Sequence, residues 1–316
     1  MIKSTDHCNY DERLSDFFHK IGCHVVQLER GLWWSRGARI FEPVLMKGPT
    51  AISNSEISSL WHGGCLFLRY PAALDQIGIP SYIYLVDDSN YDLDSLPHKQ
   101  RKETKRSLRL SHVEKIPISH IIKNGMDLIP DTYSRQGRYV DDSIISWWKK
   151  YFEFADCNIL FEAWGAFVGK ELGAFRLDFT YRGGFYGEAL FNRQDLLKYQ
   201  VMNALMFVST RDVIRRPEID HVSYGIRAMF GDTPSLNRFK ESMGYRRIDI
   251  VERIEVAPIV KPFLRSNFCV DVIQRVLRKY SEKFDKPKRI KAILDDILEL
   301  RGVMPKVNCN RVPERD

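Results

Sequence analysis

Residues 159–191, ILFEAWGAFVGKELGAFRLDFTYRGGFYGEALF, decide the fold. Apolar runs over 159–168, 172–181 and 184–191 are separated by the turn signals Gly169-Lys170 and Arg182-Gly183-Gly184, a pattern that predicts an antiparallel meander. Downstream, Leu197, Val201, Ala204, Leu205 and Val208 keep helical spacing and predict a long helix over 195–213, closed off before Pro217. A strand over 219–226 follows. Thr233 favours an N-cap and Pro234 the first helical position, so a helix runs from there to Met243, Gly244 stops it, and 245–256 reads as a strand. Upstream, a strand over 113–118 and helical segments over 119–135 lead to a helix over 143–155, capped by Asp141 or Asp142. Its stripe of Ile144, Trp147, Trp148, Tyr151 and Phe152 is read as core. The order β-αα-β-β-β-α-β-α-β describes a mixed sheet interleaved with helices, of the α/β or α+β class.

The remainder of the 316 residues carries fewer signals. Leu14, Phe17, Phe18 and Ile21 fit a helix, 65–70 and 82–86 fit strands, and Ser53 with Glu56 forms a candidate capping box. Residues 96–110 read as a basic helix with Lys102, Lys105, Arg106 and Arg109 on one face. Forty-four per cent hydrophobic and 12% aromatic content exclude a largely disordered chain. Six cysteines stand without a C-x-x-C pair and eight histidines without ligand spacing, so neither a disulfide framework nor a metal is expected. With no signal-peptide pattern and no membrane-length apolar run, the expected location is cytoplasmic. A net charge of +7 favours anionic partners through non-specific electrostatics.

The element order, the phrase Ser235-Leu236-Asn237-Arg238-Phe239-Lys240-Glu241-Ser242-Met243-Gly244-Tyr245 and the phrase Val168-Gly169-Lys170-Glu171-Leu172-Gly173-Ala174-Phe175 resemble the GNAT acetyltransferase fold. Within that superfamily the Phe239-Lys240 pair before Gly244-Tyr245, and the run from Leu93 into Arg106-Ser107-Leu108-Arg109, are similar to the Fem-type peptidyltransferases and related acyltransferases with two tandem GNAT-like halves. The resemblance implies an N-terminal half over 1–111 ending in the basic helix, a catalytic half over 112–257 and a helical tail over 258–316. It also implies an N-acyltransferase that moves an acyl group from a donor such as acyl-CoA to an amine of a glycan precursor or other small acceptor. Two alternatives stand beside it: an aminoacyl-tRNA-dependent transferase of the Fem kind, and an inactive module that binds an anion or nucleic acid.

Two departures bear on the donor. Coenzyme-A-dependent members carry a glycine-rich loop before the long helix, where backbone N–H groups cradle pyrophosphate. Here Arg193-Gln194-Asp195-Leu196-Leu197-Lys198-Tyr199 contains no glycine. Phe239 falls where many acetyltransferases carry an acidic tyrosine, and phenylalanine has no proton to give.

Acyl transfer needs a proton acceptor, donors facing the oxyanion, and fixed alignment. Glu188, an acid within an apolar strand, is the candidate base; Tyr224 is the candidate acid or orienter and Lys240 the electrostatic residue. Asp178, spaced evenly with Arg176, is assigned to the polar face of its strand and is the weaker choice of base. Arg193, Gln194, Lys198, Tyr199 and Asn237 are candidates for holding the donor, and Lys102, Arg106, Arg109 and Arg227 for an anionic acceptor or tRNA. In the tail, Val272, Ile273, Val276 and Leu277 oppose Arg275, Arg278 and Lys279, and Lys286–Lys291 is basic, which suggests peripheral membrane contact or docking on the parent fold.

Overall fold

The computed structural model describes residues 4–35, 37, 39–226, 234–281 and 285–303. The chain opens with helix α1 (Ser4–Lys20), strands β1 (His24–Leu28), β2 (Gly31–Ser35) and β3 (Ile40–Pro43), and helix α2 (Asn54–His62). Strands β4 (Phe67–Ala72) and β5 (Ile79–Val86) follow, then the basic helix α3 (His98–Leu110). The second half runs β6 (His112–Ile116), α4 (Ile118–Asn124), α5 (Leu128–Arg135), α6 (Asp142–Asp156), β7 (Phe161–Val168), β8 (Glu171–Tyr181) and β9 (Gly184–Asn192). It closes with α7 (Val201–Ile214), β10 (His221–Ile226), α8 (Pro234–Ser242) and β11 (Arg246–Val256), after which come α9 (Lys261–Arg265), α10 (Asn267–Ser281) and α11 (Asp285–Val303).

The expected meander and its flanking helices are present, with caps that explain their limits. Asp141 accepts from the Ile144 amide at 3.0 Å and starts α6, and the Ser53/Glu56 capping box starts α2. Gly244, at φ +78°, takes the left-handed turn that releases the chain from α8 into β11. Most boundaries shift by a few residues, and one shifts further. The long helix begins at Val201, not at Asp195, because Leu197–Tyr199 form a single 3₁₀ turn and Gln200 is left-handed at φ 55°. A left-handed residue breaks the i→i−4 ladder, and spacing of apolar residues alone does not reveal it.

All strands join one sheet in the order β1-β2-β3-β4-β11-β5-β10-β9-β8-β7-β6. Strand β5, from the first half, is thus inserted between β10 and β11 of the second. A buried ion network ties β4 to its neighbours: Arg69 on β4 donates to Glu252 on β11 at 2.6 and 2.8 Å and to Glu42 on β3 at 2.7 Å, and Ser81 on β5 donates to the same Glu252 at 3.3 Å. On one side of the sheet α1, α4, α5 and α6 pack over Phe161, Phe175, Phe179 and Phe191. On the other, α7, α8 and the inner side of α3 pack over Trp164, Phe185, Val222 and Tyr84. The small helices at the tail cover Ile40 and Phe67 through Leu264, Val270 and Leu277.

Candidate active site

Strands β9 and β10 are parallel neighbours for only three residue pairs, Gly184–Tyr186 against His221–Ser223, and then they diverge. Each strand is irregular where it parts from its neighbour. The register of β8 against β9 shifts so that Glu188 is the unpaired residue between Gly187 and Ala189. On β10 the register against β5 skips Tyr224, and Gly225 sits at φ +87°, a conformation that suits glycine. Bulges of this kind re-aim side chains, and here two of them flank one opening.

The opening has a cavity on each side of the sheet. Beneath α7 a cavity of about 110 Å³ is lined by Arg176, Asp178, Met206, Ser223 and Tyr224. Beneath α6 a larger one of about 640 Å³ is lined by Tyr133, Gln136, Arg138, Ser143 and Trp147, with Arg289 from α11. Glu188, Ala189 and Leu190 line both. Glu188 is half-buried at that boundary, and the Tyr151 hydroxyl donates to its Oε2 at 3.2 Å, which orients the carboxylate.

Lys240, on α8, lies against the Tyr224 ring without lining either cavity. It is 4% exposed, and its Nζ lies 4.3 Å from the centre of the Tyr224 ring and 5.1 Å from that of Tyr84. Among the described residues it has no carboxylate partner. Burial lowers its pKa from 10.5 to about 8, since an ammonium loses hydration there. Burial also raises the Tyr224 pKa, so this phenol holds its proton at neutral pH. A lysine charged at pH 7 but destabilised by burial subtracts from stability over the whole range below pH 8. That loss disappears as the pH rises from 8 towards 10.5, because the unfolded lysine then loses its proton as well. Lys240→Met should therefore raise unfolding stability by about 2–3 kcal/mol at pH 7 and by much less near pH 10.5. Urea melts at the two pH values measure this; equal effects at both would mean that Lys240 is not desolvated.

The polar face assigned to Arg176 and Asp178 is buried. They are 3% and 0% exposed, and Arg176 Nε donates to Asp178 Oδ2 at 2.7 Å with a second contact from Nη2 to Oδ1. Helix α7 covers this face of β8, and its Ser209 accepts from Arg176 at 3.0 Å. Burial opposes the Arg176 charge, but the adjoining Asp178 carboxylate outweighs it and keeps the guanidinium protonated.

The residues expected to hold the donor are not gathered into one cradle. Arg193 is paired with Asp127 at 2.6 Å and Glu171 at 3.3 Å, and the Gln194 amide donates to Asp131. This corner is acidic. Lys198 is exposed beside the Tyr199 ring, and Asn237 donates to the Tyr82 hydroxyl, tying α8 to β5. Lys102, Arg106 and Arg109 are exposed on α3, which packs against α7 and is fastened to its first turn by Ser107 Oγ donating to Gln200 O at 2.8 Å. They therefore border the α7 side of the sheet, away from the larger cavity. Arg227 and Thr233 lie outside the described residues.

Sequence reasoning missed the larger cavity. Trp148, Tyr151 and Phe152 are buried as expected, but Ile144 and Trp147, on the edge of the same stripe, are only partly buried, and together with Trp148 they line the cavity. Arg289 belonged to a basic run with no assigned cavity, and only the packing of α11 brings it there.

No family model matches the chain, and no curated protein matches it in sequence. Solved structures do. FemX aligns with TM-score 0.57 at 10% identity over 83% of this chain and 98% of its own. The C-terminal domain of an Agrobacterium fabrum protein named as a lysylphosphatidylglycerol synthetase aligns with TM-score 0.52 at 12% identity, covering 80% of this chain and 91% of that one. A tandem GNAT protein from the clavulanic acid biosynthesis pathway aligns with TM-score 0.43 at 12% identity over 71% and 78% of the two chains. The chain has a mixed α/β fold similar to that of FemX and of the synthetase domain.

Proposed function

We propose that this protein is an acyltransferase in which donor and acceptor approach Glu188 from opposite sides of the sheet. The observation that carries the reading is that one carboxylate, set on a bulge where β9 and β10 part, lines both cavities. The acceptor occupies the space under α6, where Arg138 and Arg289 favour an anionic group and Trp147 a flat or apolar one, as a glycan precursor could supply. Its amine loses a proton to Glu188 as it attacks the acyl carbon. Lys240 stabilises the oxyanion of the tetrahedral intermediate, and Tyr224 gives its proton to the departing oxygen or sulfur.

The charge around α7 favours aminoacyl-tRNA as the donor. The corner at Arg193 is neutralised by Asp127 and Glu171, whereas α3 presents Lys102, Lys105, Arg106 and Arg109 to solvent beside the first turn of α7. Separate cations along a helix suit a polynucleotide backbone better than a compact pyrophosphate. Acyl-CoA is the second reading, favoured by the lack of a carboxylate partner at Lys240. Parallel titrations with aminoacyl-tRNA and acyl-CoA discriminate between them. Lys102→Glu/Arg106→Glu should weaken tRNA binding by about tenfold or more and flatten its salt dependence. The melting temperature should hardly change, because exposed charges contribute only about 0–1 kcal/mol each. Full tRNA affinity in that variant would remove α3 from the donor site, and binding of acyl-CoA alone would establish the second donor.

A further inference from the structure

Half of the large apolar side chains that the described residues expose fall in one short stretch: Ile259, Phe263, Phe268, Val272 and Val276. The last three recur every four residues along α10 and make one stripe, with Phe268 77% exposed. They do not hold the helix in place. That is done by the opposite side of α10, where Val270 and Leu277 pack with Leu264 of α9 and with Ile293, Leu294 and Ile297 of α11.

The charge around this stripe is one-sided. Lys261, Arg265, Arg275 and Lys279 are exposed on α9 and α10, and Asp271 is the single acidic residue of these two helices. Lys261, Arg265 and Arg275 have no acidic partner among the described residues. The expected division of α10 is corrected here: Leu277 is buried, Val272 and Val276 are exposed, and Arg275 and Lys279 project from the same side as this apolar stripe instead of opposite it. A soluble protein partner would be expected to balance such cations individually. A bilayer with anionic headgroups meets both demands at once, since apolar side chains enter the acyl boundary while lysine and arginine remain at the phosphates. No described helix is long and apolar enough to cross a membrane, so any contact through these helices lies along the surface.

We infer that the outer face of α9 and α10 is a docking surface for an anionic lipid bilayer. It holds the protein at the membrane surface whatever the donor or acceptor, and its test is independent of transfer activity. The full chain is floated with vesicles of phosphatidylcholine containing about one-third phosphatidylglycerol, and with vesicles of phosphatidylcholine alone. Binding to the first and little to the second is expected. Phe268→Ser/Val272→Ser and, separately, Arg265→Glu/Arg275→Glu should each reduce it by about tenfold or more. Circular dichroism checks that both variants stay folded, as exposed positions allow. Equal binding to both vesicle types, or unchanged binding in either variant, overturns the inference. So does a dimer in light scattering that the serine variant dissociates when no vesicle binding is seen, because a second copy would then cover this face.

Discussion

Glu188→Gln is expected to slow turnover by about a hundredfold to ten-thousandfold while leaving donor affinity within a factor of about two. The amide keeps the shape of the side chain and can still pair with the Tyr151 hydroxyl, but it cannot take a proton from an attacking amine. Because Glu188 is the residue on the bulge that lines both cavities, neither neighbour on β9 can replace it: Gly187 has no side chain and Ala189 no titratable group. Single-turnover rates with saturating donor, set beside calorimetric donor binding, separate the chemical step from affinity. Tyr151→Phe should give a smaller loss in the rate, since it removes only the orienting hydrogen bond. Normal turnover in the glutamine variant would leave the proposed base without support, and a parallel loss of donor affinity would recast Glu188 as a binding residue.

Asp178→Ala is expected to destabilise the protein by about 3–5 kcal/mol. The substitution removes the carboxylate paired with the Arg176 guanidinium, which is 3% exposed beneath α7, and leaves it beside the neutral Met206, Ser209, Thr210 and Tyr245. Arg176→Met/Asp178→Leu should recover most of the loss, since an apolar pair of similar bulk removes both desolvated charges together. Urea unfolding of the single and double variants measures this directly. A single-variant loss below about 1 kcal/mol would show that water reaches the pair, and the cavity under α7 would then be wetter than its lining indicates. The same double variant also probes the site. The Arg176–Asp178 pair lines the small cavity beside Tyr224, so turnover that falls while stability recovers would indicate that the pair orients the donor.

The sequence by itself determined most of the secondary elements between residues 96 and 256 and their order. The meander of 159–191, the capped start of α6, the stop at Gly244 and the basic face of α3 follow from local causes: turn residues, caps, and apolar spacing that repeats every two or about 3.6 residues. These carried enough order to suggest the fold and to single out Glu188, Tyr224 and Lys240 as candidates; Glu188 and Tyr224 line the small cavity, and Lys240 packs against the Tyr224 ring. What local rules do not contain is which face of a strand meets a helix and which strands become neighbours. Arg176 and Asp178 alternate as a solvated face would, yet α7 covers them and makes them a buried pair. Gln200 carries no composition signal, but its left-handed turn delays α7 to Val201. The insertion of β5 between β10 and β11, the parting of β9 from β10 and the cavity that Trp147 and Arg289 share are long-range events. Their free energy comes from contacts between residues far apart in the chain, so only the tertiary structure could decide them.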